Sequence, residues 1–447
     1  MVLEVGSLPL LQDALAVLEE SFQVMPEYTP EAVKPEVSQV LLEAATRMQD
    51  NYPYAHPLYA GQMLKPPHPV ARLAYMMSLW INPNNHALDG GRASSALEKE
   101  AVTEIAAMFG WSEFLGHLCG GGTMANMEAL WVAGRLHPGK KIVASKMAHY
   151  THGRISEVLQ LEFEAIATDA RARMDMEALE AVLKRGEVGT VVVTLGTTGV
   201  GSVDPLPRVL ELQKQYGFRI HVDSAYGGYF GLVDNLADEA RAAYDLLDQV
   251  DSIVIDPHKH GLQPYGCGCV LFRDAGVGRF YQHDSPYTYF SSDELHLGEI
   301  TLECSRAGAS AVALWATQRL LPLQKGGEFA QGLGQGREAA LRLYQQLKHD
   351  QQYLTVMAPE LDIVIWAPKG ESASEISRLS QQCFDEAEKR HLHLALFELS
   401  ADVAAEYWDE QVEFDQPTVT CLRSTLMKPE HLQWLPQIKG ILDQSMG

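Results

Sequence analysis

Lys259 is the residue whose surroundings most suggest chemistry. The run from Asp251 reads Asp-Ser-Ile-Val-Ile-Asp-Pro-His-Lys-His-Gly, so an apolar, β-branched stretch ends in Asp256-Pro257 and is followed at once by His258 and Lys259. The stretch has the pattern of a buried strand, and a proline stops it. That puts the lysine on a loop at the strand's C-terminal edge, where open α/β sheets bind ligands. A lysine held there away from bulk water is disposed to lose its proton and to form a Schiff base with a carbonyl. A single lysine after a strand is more often an ordinary surface residue, so the chemistry needs three companions: a phosphate cradle, a ring clamp and a partner for a ring nitrogen.

The chain supplies a candidate for each. Gly120, Gly121 and Gly122 precede Thr123 and open an apparent helix from Met124 to Gly134. Glycines allow close approach of the backbone, and a helix start offers free N–H groups, which together suit a phosphate dianion. The lysine of a nucleotide-binding P-loop is missing, which argues against a nucleotidase. Asp223 ends the apolar run Phe218-Arg-Ile-His-Val and is followed by Ser-Ala-Tyr-Gly-Gly. Thr197 and Thr198 follow the strand-like Thr190–Leu195 run, and His149 follows the Lys141–Ser145 run. In each case the polar residue comes after the strand, so His149, Thr197, Thr198, Asp223 and Lys259 are expected to converge at one end of a sheet.

The elements that must position them alternate. Strands are expected at 141–145, 190–195, 218–223, 251–256 and 266–273, with helices from about 153 and over 206–216 and 305–321. Such alternation implies an α/β fold with a mainly parallel sheet and right-handed crossovers. Before it, residues 8–25 and 30–50 have helical periodicity and form a two-helix arm too small to fold alone, expected to pack on a partner subunit. The proline-rich stretch 51–69, with His56, Tyr59 and Gln62, is read as a linker or a site wall. Beyond a hinge at Gln324-Lys-Gly-Gly327, a smaller α+β unit is expected with helices at 328–348 and 372–390 and strands at 354–357, 361–366, 392–398 and 417–422. The resulting division is an arm over 1–68, a large domain over 69–322 and a small domain over 323–447.

Composition bounds the rest. The chain has 447 residues, 46% hydrophobic and 21% charged, with a net charge of −23. That is ample for a large core and ill-suited to nucleic acid or anionic membranes. No apolar run is long enough to span a bilayer, and Met1–Gly6 lacks a cationic start, so a cytoplasmic enzyme is expected. The six cysteines are scattered, which suggests neither a disulfide framework nor a metal site; Cys267-Gly-Cys269 reads as a strand with small side chains.

Taken together, the motifs Gly-Gly-Gly-Thr-Met-Ala-Asn, Met147-Ala-His-Tyr150, Leu195-Gly-Thr-Thr198, His221-Val-Asp-Ser-Ala-Tyr-Gly-Gly228 and Asp256-Pro-His-Lys259 resemble, in order over residues 50 to 320, the group II pyridoxal-phosphate-dependent amino-acid decarboxylases. Asn82-Pro-Asn-Asn-His86 and Ser305-Arg-Ala-Gly308 look most like the bacterial and archaeal tyrosine/aspartate branch, while Asp256 stands where many members have Asn and His260 where animal enzymes have Trp. The resemblance implies fold type I, the aspartate-aminotransferase-like architecture with a seven-stranded sheet, and a homodimer with its active site at the interface. It implies pyridoxal 5′-phosphate linked to Lys259, its ring nitrogen paired with Asp223, its ring between Ala225 and His149, and its phosphate held by Gly121, Gly122, Thr123 and His258, with Thr198 against the ring or the substrate carboxylate. A protonated ring is the better electron sink for a carbanion left by departing CO2. Tyr287 or Tyr289 is the implied acid that returns a proton to that carbon. Arg306 and Arg423 are candidates for gripping a carboxylate, either of which is equally suited to a structural ion pair, and His86 is a candidate for the pocket wall. The substrate so implied is tyrosine or another aromatic amino acid, with aspartate or glutamate open. A carbon–carbon lyase, an aldehyde synthase and a non-catalytic cofactor-binding regulator are the alternatives.

Overall fold

The structure, a computed structural model, describes residues 3–282, 295–408 and 412–446. Two helices, α1 (Leu8–Glu20) and α2 (Glu36–Met48), come first, then α3 (Pro69–Ser78) and α4 (Leu88–Met108). The α/β unit follows as β1 (Leu115–Cys119), α5 (Gly122–Leu136), β2 (Lys141–Ser145), α6 (Thr151–Val158), β3 (Phe163–Ile166), α7 (Met176–Leu183), β4 (Val188–Thr194), α8 (Leu206–Tyr216), β5 (Arg219–Asp223), α9 (Asp238–Tyr244), β6 (Ser252–Ile255) and β7 (Gly268–Phe272). Helices α10 (Gly308–Leu320) and α11 (Glu328–His349) lead to β8 (Tyr353–Thr355), β9 (Ile363–Pro368), α12 (Ala373–Lys389), β10 (Ala395–Ser400), α13 (Ala401–Ala405), β11 (Thr418–Thr425) and α14 (His431–Ser445).

The first seven strands form one sheet in the order β1-β7-β6-β5-β4-β2-β3. All run parallel except β7, which is antiparallel to both β1 and β6. The central strands are covered on both faces, which is why they read as unbroken β-branched runs rather than alternating ones: Val191, Val192, Val193, Ile220, Val222, Ile253, Val254 and Ile255 are all fully buried. Because β6 and β7 are antiparallel neighbours, the chain between them turns back over the sheet's edge and carries Lys259 there. Local chemistry sets several ends. Asp175 caps α7 by accepting from the N–H groups of Glu177 and Ala178, Ser372 caps α12 through Glu375 N, and Gly217 (φ 69°) ends α8 in the left-handed region that glycine tolerates.

The second sheet, in the order β10-β11-β9-β8, is antiparallel throughout and has its own core of Leu343, Leu347, Val364, Trp366, Leu392, Leu422 and Ile438. Residues 58–62 are stitched onto it. Ala60 N donates to His393 O (2.9 Å), His393 N to Leu58 O (2.9 Å) and Thr425 N to Ala60 O (2.7 Å). This stretch is therefore neither linker nor wall of the main cavity. Tyr59 is buried against the sheet, and Gln62 Oε1 accepts from Arg423 (3.3 Å).

Several elements exceed the expectation from sequence. Strands β1 and β3 and helices α3, α7 and α14 are present without having been anticipated, and α1 and α2 are each shorter than the periodic runs that announced them. Among the described residues, no helix is long and apolar enough to cross a membrane and no group of His, Cys, Asp and Glu is arranged to hold a metal ion.

Candidate active site

A cavity of about 620 Å³ opens at the C-terminal ends of β4, β5 and β6, roofed by the starts of α5 and α6. Its lining includes Gly121, Gly122, Thr123, His149, Thr198, Asp223, Ala225, His258 and Lys259, so every residue expected to hold the cofactor reaches one space. Thr197 does not. Its hydroxyl accepts from Ser202 N (3.0 Å) and its side chain is wholly buried inside the 196–202 turn, so only Thr198 of the pair faces the cavity.

Asp223 lies at the cavity floor at the end of β5, 5% exposed. Its Oδ2 accepts from His152 Nε2 (2.9 Å) and Asn126 Nδ2 (3.3 Å), and its Oδ1 accepts from Ala225 N (3.1 Å). Asn126 is itself fixed. Its Oδ1 pairs with His221 Nε2 (2.8 Å), and His221 Nδ1 pairs with Ser252 Oγ (2.9 Å). Burial holds the His221 imidazole down at about 3, so it is neutral, and one consistent direction of donation runs from Ser252 through His221 and Asn126 to Asp223. Burial alone would push the Asp223 carboxyl up. The bond and charge of His152, the charge of Lys259 and the Ala225 N–H outweigh it and hold the group well below the usual carboxylate range. The result is a buried carboxylate that stays ionised, with lone-pair capacity left on Oδ1 for a ring N–H.

His149 precedes α6, its Nδ1 accepting from Thr151 N (3.3 Å) and lying within 2.8 Å of Thr151 Oγ1, and its ring stacks on Tyr150 at 4.5 Å. Burial lowers its imidazole, with Asp223 opposing and Lys259 reinforcing, so a neutral ring faces the cavity. His152 comes one helical turn later, which is why it points at Asp223 beneath.

At the other end of the cavity, Gly121 (φ 148°) bends the chain into α5, which begins at Gly122. A Cβ on Gly122 would sit 2.7 Å from Asp256 Oδ2, and one on Gly268 would sit 2.6 Å from the Gly121 backbone. These glycines are required by close approach and leave the first N–H groups of a 15-residue helix open to the cavity. Glu303 also lines this end, its Oε2 accepting from Gly120 N (3.2 Å).

Lys259 Nζ lies 3.1 Å from Asp256 Oδ2. Burial pushes its ammonium down, but Asp256 and Asp223 more than reverse this and raise it. The expectation that burial disposes this lysine to lose its proton is thus overturned: the two carboxylates beside it favour the ammonium form.

His86, Arg306 and Arg423 are not on this cavity's wall. Arg306 is a buried structural cation, donating to Glu98 Oε1 (2.8 Å) and to the carbonyl oxygens of Leu118 and Asn85, which ties the 82–91 loop to β1. Arg423 donates to Thr425 Oγ1 (3.4 Å) and Gln62 (3.3 Å) within the small sheet. His86 is half-buried against the turn at Leu297–Glu299, where Gly298 N donates to its carbonyl oxygen (2.9 Å). Tyr287 and Tyr289 lie outside the described residues. Asn126, His152, Asp256 and Glu303 are the site residues that sequence reasoning did not assign.

A phosphorylated aromatic aldehyde fits these residues. The glycine cradle excludes side chains, Ala225 and His149 both line the space, an ionised acid sits at one end, and the buried His258 Nδ1 has no hydrogen-bond partner among the described residues. The comparisons agree. The family model described as the pyridoxal-dependent decarboxylase conserved domain matches residues 131–367, just over half of the chain. The chain belongs to the pyridoxal-dependent decarboxylases. Within that family it is a group II enzyme, a carboxy-lyase acting on amino acids with pyridoxal 5′-phosphate as cofactor. It is 25% identical to an L-tyrosine decarboxylase of Enterococcus faecium, over 83% of this chain and 79% of that one. It is 29% identical to a probable L-tyrosine/L-aspartate decarboxylase of Methanothermobacter thermautotrophicus, over 68% and 81%. The fold matches that of mouse CSAD (TM-score 0.76, 19% identity, 96% of this chain and 91% of that one) and of an Oryza sativa TDC bound to PLP and tryptamine (TM-score 0.79, 16% identity, 100% and 99%). The architecture is fold type I.

Proposed function

We propose that the decarboxylase acts on tyrosine or another aromatic L-amino acid, releasing the amine and CO2, and that Lys259, Asp223 and His149 carry the chemistry. The observation that carries this reading is the single cavity shared by all nine expected cofactor residues. When bound, the cofactor supplies the electron sink. The protein's part is to link it through Lys259 Nζ, to keep its ring nitrogen charged against Asp223, and to press its ring between Ala225 and His149. Gly121, Gly122, Thr123 and His258 hold its phosphate, and Thr198 orients the ring or the substrate carboxylate. The lining favours an uncharged side chain: among the described residues it has no arginine, and Asp223, Asp256 and Glu303 all line it. Among the described residues, a second carboxylate on the substrate would find no arginine in the lining, and Glu303 would oppose it. The aspartate reading rests on the name of the archaeal relative. Incubating the protein and cofactor with all common amino acids, and identifying by mass spectrometry which one loses CO2, tests the assignment; release of β-alanine from aspartate with no aromatic amine would overturn it.

Tyr287 or Tyr289 is the proposed proton donor, and Tyr287→Phe is expected to divert product toward aldehyde. The division into arm, large domain and small domain at 68/69 and 322/323 belongs to the same reading, supported by the two separate sheets. So do a cytoplasmic location and a homodimer. Helix α2 buries no residue, and Val17, Val40, Leu41, Leu42 and Trp80 are all more than 60% exposed, an apolar face that a second copy would cover. Sedimentation of the full chain checks the dimer.

A further inference from the structure

We propose that Asp256 is the acceptor of the Lys259 ammonium proton when that nitrogen becomes a nucleophile toward the cofactor. The inference rests on Lys259 being the linking residue. An ammonium has no free electron pair, and the Lys259 group is held charged by the carboxylates on either side. Some atom within reach must take its proton. Asp256 Oδ2 is at 3.1 Å, inside hydrogen-bond reach, and the side chain is 3% exposed, so bulk water does not compete for it. Its other oxygen, Oδ1, is buried with no hydrogen-bond partner among the described residues. The remaining carboxylate, Asp223, is engaged by three donors, each of which opposes its protonation.

The step balances. An N–H bond on Nζ breaks and an O–H bond on Asp256 forms, leaving an uncharged amine. Its electron pair attacks the aldehyde carbon, and the aldehyde oxygen leaves as water with the amine's two remaining hydrogens. Nothing is oxidised or reduced. The protonated Asp256 is then neutral beside the start of α5, where an ionised carboxylate would repel the arriving phosphate.

Removing Asp256 has two opposed consequences. Its charge helps to hold the proton on Lys259, so its loss by itself raises the share of free amine and speeds cofactor capture. Loss of a positioned acceptor slows capture instead, by about 10²- to 10⁴-fold. The direction of the change therefore separates a carboxylate that only pairs with the lysine from one that takes its proton.

The test is stopped-flow absorbance near pH 7 on the full chain depleted of cofactor and mixed with pyridoxal phosphate. Asp256→Asn is expected to slow capture by at least about tenfold and Asp256→Glu to restore it to within about threefold. Capture in Asp256→Asn that is as fast as in the unaltered chain, or faster, overturns the proposal. If Asp256→Asn does not fold, Asp256→Ser takes its place with the same two outcomes. Lys259→Ala is the separate control: capture that persists with an unchanged spectrum removes Lys259 from its role, whereas an undiminished rate in Asp256→Asn removes only the proton acceptor.

Discussion

Asp223 and Asp256 end neighbouring parallel strands, or follow them by one residue, and both are buried, yet they are built for opposite duties. Asp223 is surrounded by donors from three elements: His152 on α6, Asn126 on α5 and the backbone of Ala225. Among the described residues, Asp256 has only the Lys259 ammonium at hydrogen-bond distance, His258 Nε2 at 3.5 Å and a second oxygen without a partner. Burial makes both costly as anions. The floor of the site meets that cost with a fixed network, which makes a permanent charge. The opposite end meets it with one neighbouring cation, Lys259, and on the proposal above that makes a charge that can be discharged. A carboxylate's role at a sheet edge is thus set by the donors around it rather than by its position.

The largest expected effect is at the floor. Asp223→Asn should retain cofactor but lower turnover by about 10³-fold, the scale of losing a buried electrostatic partner of the reacting group. Steady-state kinetics of Asp223→Asn beside Asp256→Asn check the contrast, and equal losses in kcat would break it. Next is His152→Ala, expected to lower turnover by about 10- to 100-fold, as supporting residues of a site do. Because His152 is the chief donor holding the Asp223 carboxyl down, its removal raises that group, and the acid limb of the kcat profile should move to higher pH. An unmoved limb would mean that Asn126 and Ala225 suffice. At the other end, Gly122→Ala places a methyl group 2.7 Å from the buried Asp256 Oδ2, so cofactor affinity should fall by about tenfold with kcat at saturation little changed. Fluorescence titration with the cofactor reads this. The smallest effect is on stability. In the cofactor-free chain the Lys259 ammonium is raised above its ordinary 10.5, so its pairing stabilises the fold fully below pH 10.5 and is lost as pH rises through the folded value. Urea unfolding at pH 8 and pH 11 should show a larger drop for the unaltered chain than for Asp256→Asn.

Much of this was legible in the residues. The central strands betray themselves by uninterrupted β-branched runs, and each expected cofactor residue follows such a run or opens a helix, so convergence at one edge followed from topology alone. The supporting layer did not follow. His152 and Asn126 lie 71 and 97 residues from the carboxylate they serve, and nothing local distinguishes them from other polar residues on a helix. A hint existed in the His149-x-x-His152 spacing, which sets two rings one helical turn apart. Arg306 looked like a substrate grip because Arg suits carboxylates, and it does hold one, Glu98 of the chain itself. Strand β1 was hidden by its brevity and by Gly116, whose bareness is required because a Cβ there would strike Leu271 at 2.4 Å. Weighing desolvation alone misjudges the charge of Lys259, because Asp256 three residues before it and Asp223 on the same sheet edge oppose that effect.

The attachment of residues 58–62 to the second sheet has a consequence for how the chain is made. Segments near its beginning hydrogen-bond to His393 and Thr425, more than 300 positions later. During synthesis, that early segment must wait for its partners until residues 393–425 have emerged. Completion of the C-terminal half is accordingly a late and slow event. Deleting the first 62 residues should therefore injure the far end of the polypeptide more than the catalytic sheet beside it.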